Sequence, residues 1–350
     1  MPADAGTVVL PSAAVRPEPA LLLPNDGDFG YCKVRLDAAS QAALASSLGR
    51  LADPLSRAVA WNIVRDLVRD GELTPRQYLD LAARHLPAET DSSIAGHVIA
   101  YARWTVADRY LPPGRRGGAL ADITSLCGDL LGRLGDADGM RLVAARGLID
   151  SASGPDNIAA LWSWLAAGRV PGGPDLDSRL RRQILLRLTV LGAASRDEIE
   201  HDASRDATAA GRLSAARCRA ALPVQAAKQA AWTAMLGGTL SGYELAATAQ
   251  GFWQADQAGV LAGYVPRYFT ALAEVAAGGP GVGAEVARVL CQHGFPQHAV
   301  ALATLGAGER CLESGGVTGS LRRLLADQLE DLRRSLTVQG RARAGGPHCA

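Results

Sequence analysis

LLLPNDGDFGYCKVRLD, residues 21–37, is the only convincing β-type segment in a chain of 350 residues. Tyr31, Lys33 and Arg35 alternate with Cys32, Val34 and Leu36, a period of two that suits a half-buried strand. Everything after it reads as helix after helix. A lone strand has no ladder to join, and its N–H and C=O groups stay unpaired. The expectation is a strand whose sheet lies mostly outside this chain: a protein cut at a domain boundary, or one that docks on a partner. Phe29, Tyr31, Lys33 and Arg35 are the candidate partner-binding residues.

Helix signals follow in order. Asp53-Pro54 reads as an N-cap and an N1 proline, with Leu55, Val59, Ile63 and Leu67 on one stripe and Gly71 as the stop. Thr74 and Gln77 form a capping box, and that helix ends before Pro87. Asp91 opens a helix carrying Ile94, Val98 and Tyr101, which fades at Pro112-Pro113-Gly114 into an RRGG loop. Starts are expected near Ala119, Asp138, Asp156 and Asp177. Ser195 and Glu198 make a second capping box, and Asp206, Pro223, Ser241, Asp256, Gly283, Pro296 and Thr318 mark later starts. Short loops make neighbouring helices antiparallel, and a series of such hairpins stacks into a solenoid. No crisp period appears, so the expected fold is all-α, an irregular HEAT-like α-superhelix forming a bowl of antiparallel helix pairs, with a short N-terminal β segment. The expected divisions are a flexible leader (1–20), the β segment (21–37), a helical domain (38–338) and a disordered tail (339–350).

Composition narrows the function classes. With 48% hydrophobic residues the chain can bury a large core. The formal net charge of +1 gives no basic excess for nucleic acid or an anionic membrane. The six cysteines are scattered without a CxxC pair and read as reduced thiols. No signal peptide and no membrane span are recognisable, so a cytoplasmic protein is expected.

Chemistry-bearing residues are sparse. There is no HExxH, GxSxG or P-loop. Gly278–Gly283, GGPGVG, lacks a preceding strand and reads as an interhelical turn. Cys291, His293 and His298 are spaced C-x-H-x4-H, but a proline separates them and no converging metal set is expected. His293 and His298 flank a helix–helix turn and are placed on a groove rim. His97, Tyr101, Trp104 and Asp108, at spacings of four, three and four, share one helix face if the helix is regular. They form the best candidate contact or acid–base constellation. Arg115 and Arg116 in their Gly/Pro loop suit a carboxylate, sulfate or phosphate. Arg179, Arg181, Arg182 and Arg187 read as a solvated helix face.

These residues carry a resemblance. LPNDGDFGYCKVRLD resembles the junction between the β-sandwich and the helical C-terminal domain of aminopeptidase N, among the gluzincin zinc aminopeptidases, in its actinobacterial form. LPAETDSSI at 86–94 looks like that family's second helix-pair region. RDATAAGRLSAARCRAALPVQAAKQAAW at 205–232 resembles its Asp-x-Thr-x-x-Gly, Pro, Lys, Trp block, here Asp206, Thr208, Gly211, Pro223, Lys228 and Trp232. GFWQADQAGVLAGYVPRYFTAL at 251–272 looks like the segment before its last helices. The resemblance covers about residues 20 to 338. It implies a bowl that closes over a zinc site held in a separate thermolysin-like domain. The HExxH, the GxMEN sequence and the transition-state tyrosine belong to preceding domains and have no counterpart here.

The function this implies is a helical subunit that docks on a separate catalytic chain and completes its substrate chamber. It is not a zinc peptidase by itself. No cofactor or metal is expected in this chain; zinc, if any, sits in the partner, which would resemble the N-terminal half of aminopeptidase N. A peptide or small-molecule substrate would lie in the shared chamber. Two alternatives remain open. One is a repurposed half-enzyme of natural-product biosynthesis, acting on an amino-acid-derived or carrier-protein-bound intermediate. The other is a helical scaffold that binds peptide or protein without chemistry.

Overall fold

Asp37 turns an extended segment into a helix. Its carboxylate accepts from the Ser40 N–H at 2.9 Å and the Ser40 hydroxyl at 2.6 Å, capping α1 (Ala38–Ser47). The computed structural model describes residues 21–133, 138–278, 282–317 and 319–344. The chain divides into two units, Met1–Asp66 and Leu67–Ala350.

In the first unit the expected β segment forms no strand. The Leu22 N–H is taken by the Ser40 hydroxyl at 3.0 Å. Asn25 holds a turn, accepting from the Gly30 N–H at 3.0 Å and donating to the Gly30 carbonyl at 2.9 Å. Residues 31–37 then run on without a ladder. Of Cys32, Val34 and Leu36, only Val34 is buried, and Cys32 is exposed. The physical reason is the one that made the segment unusual: alternation supplies the side-chain pattern, but a strand exists only where a neighbour accepts its hydrogen bonds. The expected leader, residues 1–20, lies outside the described residues. Asp53 caps α2 (Pro54–Arg69), accepting from the Ser56 N–H at 3.0 Å.

The second unit is helical throughout. Its elements are α3 (Pro75–His85), α4 (Ser92–Tyr101), a π-helix (Ala102–Tyr110), α5 (Pro113–Arg133), α6 (Asp138–Ser151), α7 (Gly154–Ala167) and α8 (Ser178–Val190). There follow α9 (Arg196–Arg205), α10 (Ala209–Ala221), α11 (Gln225–Leu236), α12 (Gly242–Phe252), a 3₁₀ turn (Ala255–Gln257) and α13 (Ala258–Leu261). The last four are α14 (Tyr264–Ala277), α15 (Val282–His293), α16 (Leu302–Glu313) and α17 (Gly319–Ala344). No strand occurs among the described residues; one isolated bridge joins Arg169 and Asp175. Capping boxes form at Thr74, Ser195 and Ser241. No helix among the described residues is long and apolar enough to cross a membrane.

Helices one to three positions apart in the chain pack on one another: α6 on α5 and α8, α10 on α8 and α12, α15 on α12 and α14, α17 on α15 and α16. The closing helix α17 also reaches the π-helix, where the Gln339 side-chain amide donates to the carbonyls of Arg109 at 3.0 Å and Leu111 at 3.3 Å.

Three boundaries differ from expectation. α5 begins at Pro113, so Arg115 and Arg116 lie in a helix and not in a loop. Proline at N1 is pre-organised for that start, and ion pairs of Arg116 hold the glycine-rich first turn. The start expected at Pro296 comes at Leu302. Helix α17 continues to Ala344, past the expected beginning of the tail at residue 339.

The Asp206–Trp232 block resolves into local physics. Asp206 accepts from the Thr208 N–H at 3.2 Å and the Thr208 hydroxyl at 2.5 Å. Thr208 caps α10 by accepting from the Gly211 N–H at 3.1 Å. A Cβ on Gly211 would lie 2.0 Å from the Asp206 carbonyl oxygen, so glycine is required there. Lys228 is fully buried, and its ammonium donates to the Ala220 carbonyl at 2.7 Å and the Phe252 carbonyl at 2.9 Å. These are last-turn carbonyls of α10 and α12, groups that have no partner within their own helices. Gly251 lets those helices touch, since a Cβ there would meet the Arg217 carbonyl oxygen at 2.0 Å. Trp232, Phe252 and Tyr264 pack around this point with centroids 5.1–5.8 Å apart.

Burial pushes the Lys228 amine down to about 7. Above pH 7 the unfolded chain carries a proton that the folded chain has shed, so stability rises with pH until the unfolded amine also titrates. Buried Cys127, Cys218 and Cys291, pushed up to about 12, act in the opposite sense only above the ordinary thiol range. We therefore expect urea unfolding between pH 7 and 8.5 to show a rise approaching ~1.4 kcal/mol per pH unit. Lys228→Met should flatten it; parallel wild-type and variant curves would contradict the assignment.

Candidate functional site

The π-helix redirects the residues expected on one helix face. A π turn closes i→i+5 and advances less per residue than an α turn. His97 and Trp104 face solvent, while Asp108 turns into the interior. The His97 Nδ1 lies 2.8 Å from the Ser93 carbonyl oxygen. Tyr101 packs between Tyr78 and Tyr110, with centroids at 5.0 and 6.3 Å. Trp104 is covered on one face by the Arg103 guanidinium, 4.2 Å from the ring centroid.

Asp108 sits in a buried network of charges. Its Oδ2 lies 2.6 Å from Arg103 Nη1, as an ion pair, and its Oδ1 accepts from Arg116 Nε at 2.8 Å. Arg116 then reaches across to Asp256 in the 3₁₀ turn with two parallel hydrogen bonds of 3.0 and 2.9 Å. Asp256 takes a second fork from Arg187 of α8, at 2.9 and 3.2 Å. The free Nε of Arg187 donates to the Ala152 carbonyl at 2.8 Å, and Arg103 Nε to the Asp150 carbonyl at 2.6 Å. Next to Asp256, the Gln257 amide donates to the carbonyls of Val190 at 2.8 Å and Ala221 at 2.7 Å, at the ends of α8 and α10. Three helices, α5, α8 and α10, thus tie directly to one short turn, and the π-helix and the end of α6 join them through Arg116, Arg103 and Arg187.

The electrostatics follow from this geometry. Burial alone would raise the Asp256 and Asp108 carboxyls. The guanidiniums of Arg187 and Arg116 around Asp256, and of Arg103 and Arg116 with His298 around Asp108, overcome it and hold both low. Carboxylates so engaged do not act as general bases. Asp150 goes the other way: burial raises it, and a hydrogen bond from Gln183 at 2.7 Å offsets only part of that.

The network backs onto a cavity of about 370 Å³. Its walls include Trp253, Leu261, Val265 and Pro266, and its polar lining includes His298 and Thr304. Burial pushes His298 down to about 4 despite the attraction of Asp108, so the imidazole is neutral at pH 7, and its Nδ1 has no hydrogen-bond partner. The cavity and the network behind it are the candidate site.

Of the residues singled out in the sequence, the structure gathers Asp108, Arg116 and His298. Arg115 and His293 are exposed, and His293 contacts Gln250 at 3.1 Å. Cys291 is buried in the aromatic core, and no group of potential metal ligands converges among the described residues. In the first unit Phe29 and Tyr31 are wholly exposed, and Lys33 and Arg35 are exposed beside them. The supposedly solvated arginine face is a correction: Arg187 is 5% exposed, and Arg182 pairs with Asp206 at 2.6 Å. Asp256 was read only as a helix start, and Arg103 and Gln257 carried no signal; the Asp256 and Gln257 partners lie at least 36 residues away.

A family model described as the ERAP1-like C-terminal domain matches residues 21–334. Aminopeptidase N of Streptomyces lividans is 32% identical over 337 residues, covering 96% of this chain and 39% of that protein. The chain therefore spans less than half the length of the curated relative it matches.

Replacing Asp256 by Asn keeps the shape of the turn and removes the charge shared by two buried guanidiniums. The expected loss is ~3–5 kcal/mol of unfolding free energy. Because Asp256 is held below the usual carboxylate range, its contribution is present above about pH 4 and fades as the pH falls further. The acid limb of wild-type stability should be steeper than that of Asp256→Asn. A loss under ~1 kcal/mol would show that the network is not a stabilising clasp.

Proposed function

The chain belongs to the family of ERAP1-like C-terminal domains, the domain it shares with aminopeptidase N, and on that premise we propose that it docks on a chain carrying an aminopeptidase-N-type catalytic half and walls part of its substrate chamber. The zinc site and the groups that activate water belong to that partner. Within these 350 residues there is no HExxH to hold a zinc ion. The two carboxylates of the buried network are locked to guanidiniums, which suits a rigid wall and does not suit a proton-transfer centre.

The observation that carries the docking reading is the extended segment Leu21–Asp37. Phe29 and Tyr31 are exposed at 97% and 112%, and residues 31–37 make no strand ladder. Aromatic anchors are the residues that most often dominate an interface. An extended segment outside any ladder can add to the edge of a partner's sheet. The resemblance of this segment to the end of a β-sandwich fits such an addition.

The helical elements would supply the chamber wall, in the HEAT-like arrangement expected from the sequence. The clasp around Asp256 would keep that wall rigid while substrate enters and leaves.

Co-expression with a chain resembling the N-terminal half of aminopeptidase N should give a stoichiometric complex on size exclusion. Phe29→Asp with Tyr31→Asp should weaken that complex at least ~tenfold and leave the circular dichroism of the helical protein unchanged. A double variant that binds as tightly as wild type would sink the docking role of this segment.

A further inference from the structure

The cavity beside the buried network has a lining that specifies its ligand. Six alanines, Ala255, Ala258, Ala262, Ala299, Ala303 and Ala307, contribute to it. Larger aliphatic residues at a few of these positions would fill the space, and an apolar void forfeits dispersion contacts that packing would otherwise gain. Small side chains keep it open at that cost.

Three polar groups interrupt this lining, each from a different segment. Gln254 uses its amide N–H groups on the carbonyls of Gln250 at 2.9 Å and Gly251 at 3.2 Å. With its N–H groups so used, its Oε1 remains as the acceptor of that side chain. Thr304 is buried and lines the cavity with its hydroxyl-bearing side chain. His298 Nδ1 is buried without a partner. No lysine, arginine, aspartate or glutamate lines the cavity. A mostly apolar pocket with a few placed polar groups is the usual form of a small-molecule site, and the buried, unpaired His298 Nδ1 costs free energy that a ligand could recover.

The charges decide what arrives. A carboxylate would find no cation in the lining and an ammonium no anion, so the ligand is neutral. Trp253 with Pro266 and Pro296 offers flat apolar surfaces that suit an aromatic ring. The Gln254 oxygen accepts only, while the Thr304 hydroxyl both donates and accepts. A hydroxyl head group matches that pair, since it can give one hydrogen bond and take another. We propose that this cavity is a binding site for a neutral aromatic molecule bearing a hydroxyl group, a phenol in chemical class. This site stands on its own lining and does not depend on the docking reading.

The test uses p-cresol as the probe, titrated calorimetrically into the full chain. Saturable one-site binding is expected, with toluene bound ~5–10-fold more weakly for want of the hydroxyl. Benzoate and benzylamine should not compete. Thr304→Val should reduce p-cresol affinity several-fold and leave toluene unchanged. Ala307→Phe should abolish both by filling the space; if that variant does not fold, Ala303→Phe at the exposed side of the mouth replaces it. The proposal is overturned if p-cresol fails to bind, if it binds no better than toluene, if filling the cavity leaves affinity unchanged, or if the charged analogues compete equally.

Discussion

Taking a guanidinium out of water costs several kcal/mol, and the second unit does so three times, at Arg103, Arg116 and Arg187. The arrangement is viable because Asp256 is shared by two of them and Asp108 by two. Each remaining Nε is directed at a partner of its own: Arg103 and Arg187 each donate to a helix-end carbonyl, of Asp150 and Ala152. Once those partners are fixed, the positions of the π-helix, α5, α8 and the 3₁₀ turn follow. The turn is only three residues long, so Asp256 and Gln257 act at nearly the same place. One ties side-chain charges together, and the other ties the ends of α8 and α10. Lys228 does the corresponding work at the ends of α10 and α12 with a single amine.

Such a centre is rigid in one direction and open in another. Bidentate pairs hold α5 and α8 to the turn, and a single Arg116–Asp108 bond ties the π-helix to α5, whereas the side of the turn that leads into α13 faces a space lined by alanine. The first property suits the chamber wall proposed for these helices. The second leaves the same helices with a cavity whose lining carries no charged side chain. The two are adjacent because Ala255 and Asp256 are consecutive residues on one short turn.

Local features of this fold were legible in the sequence, because capping acts within three residues. The boxes at Thr74 and Ser195 and the caps at Asp53, Asp91 and Asp177 appear where the residue types place them. Long-range pairing was not legible. Arg116 and Asp256 are 140 residues apart, and nothing near either one announces the other. The same blindness explains why the first turn of α5 read as a loop: its glycines argue for a loop locally, and the restraint that overrides them comes from elsewhere. The π-helix is a further case, since a spacing rule for regular helices cannot foresee a change of pitch. In the site, Asp108, Arg116 and His298 were singled out for local reasons and are brought together for non-local ones. The extended segment taught the converse lesson: a correct residue pattern for a strand is not a strand without an edge to join.

The bond from Gln339 to the carbonyls of Arg109 and Leu111 spans about 230 residues, and this sets an order of events on the ribosome. Helices are made N-terminal first and fold as they emerge. The π-helix that places Asp108 leaves the exit tunnel long before Gln339 has been added. Until then its final carbonyls have only water as a partner. The Arg116–Asp256 pair likewise waits for most of the second unit to be synthesised. The clasp therefore closes late in biogenesis, and a nascent chain truncated before α17 would present an interior whose last polar groups are still wet.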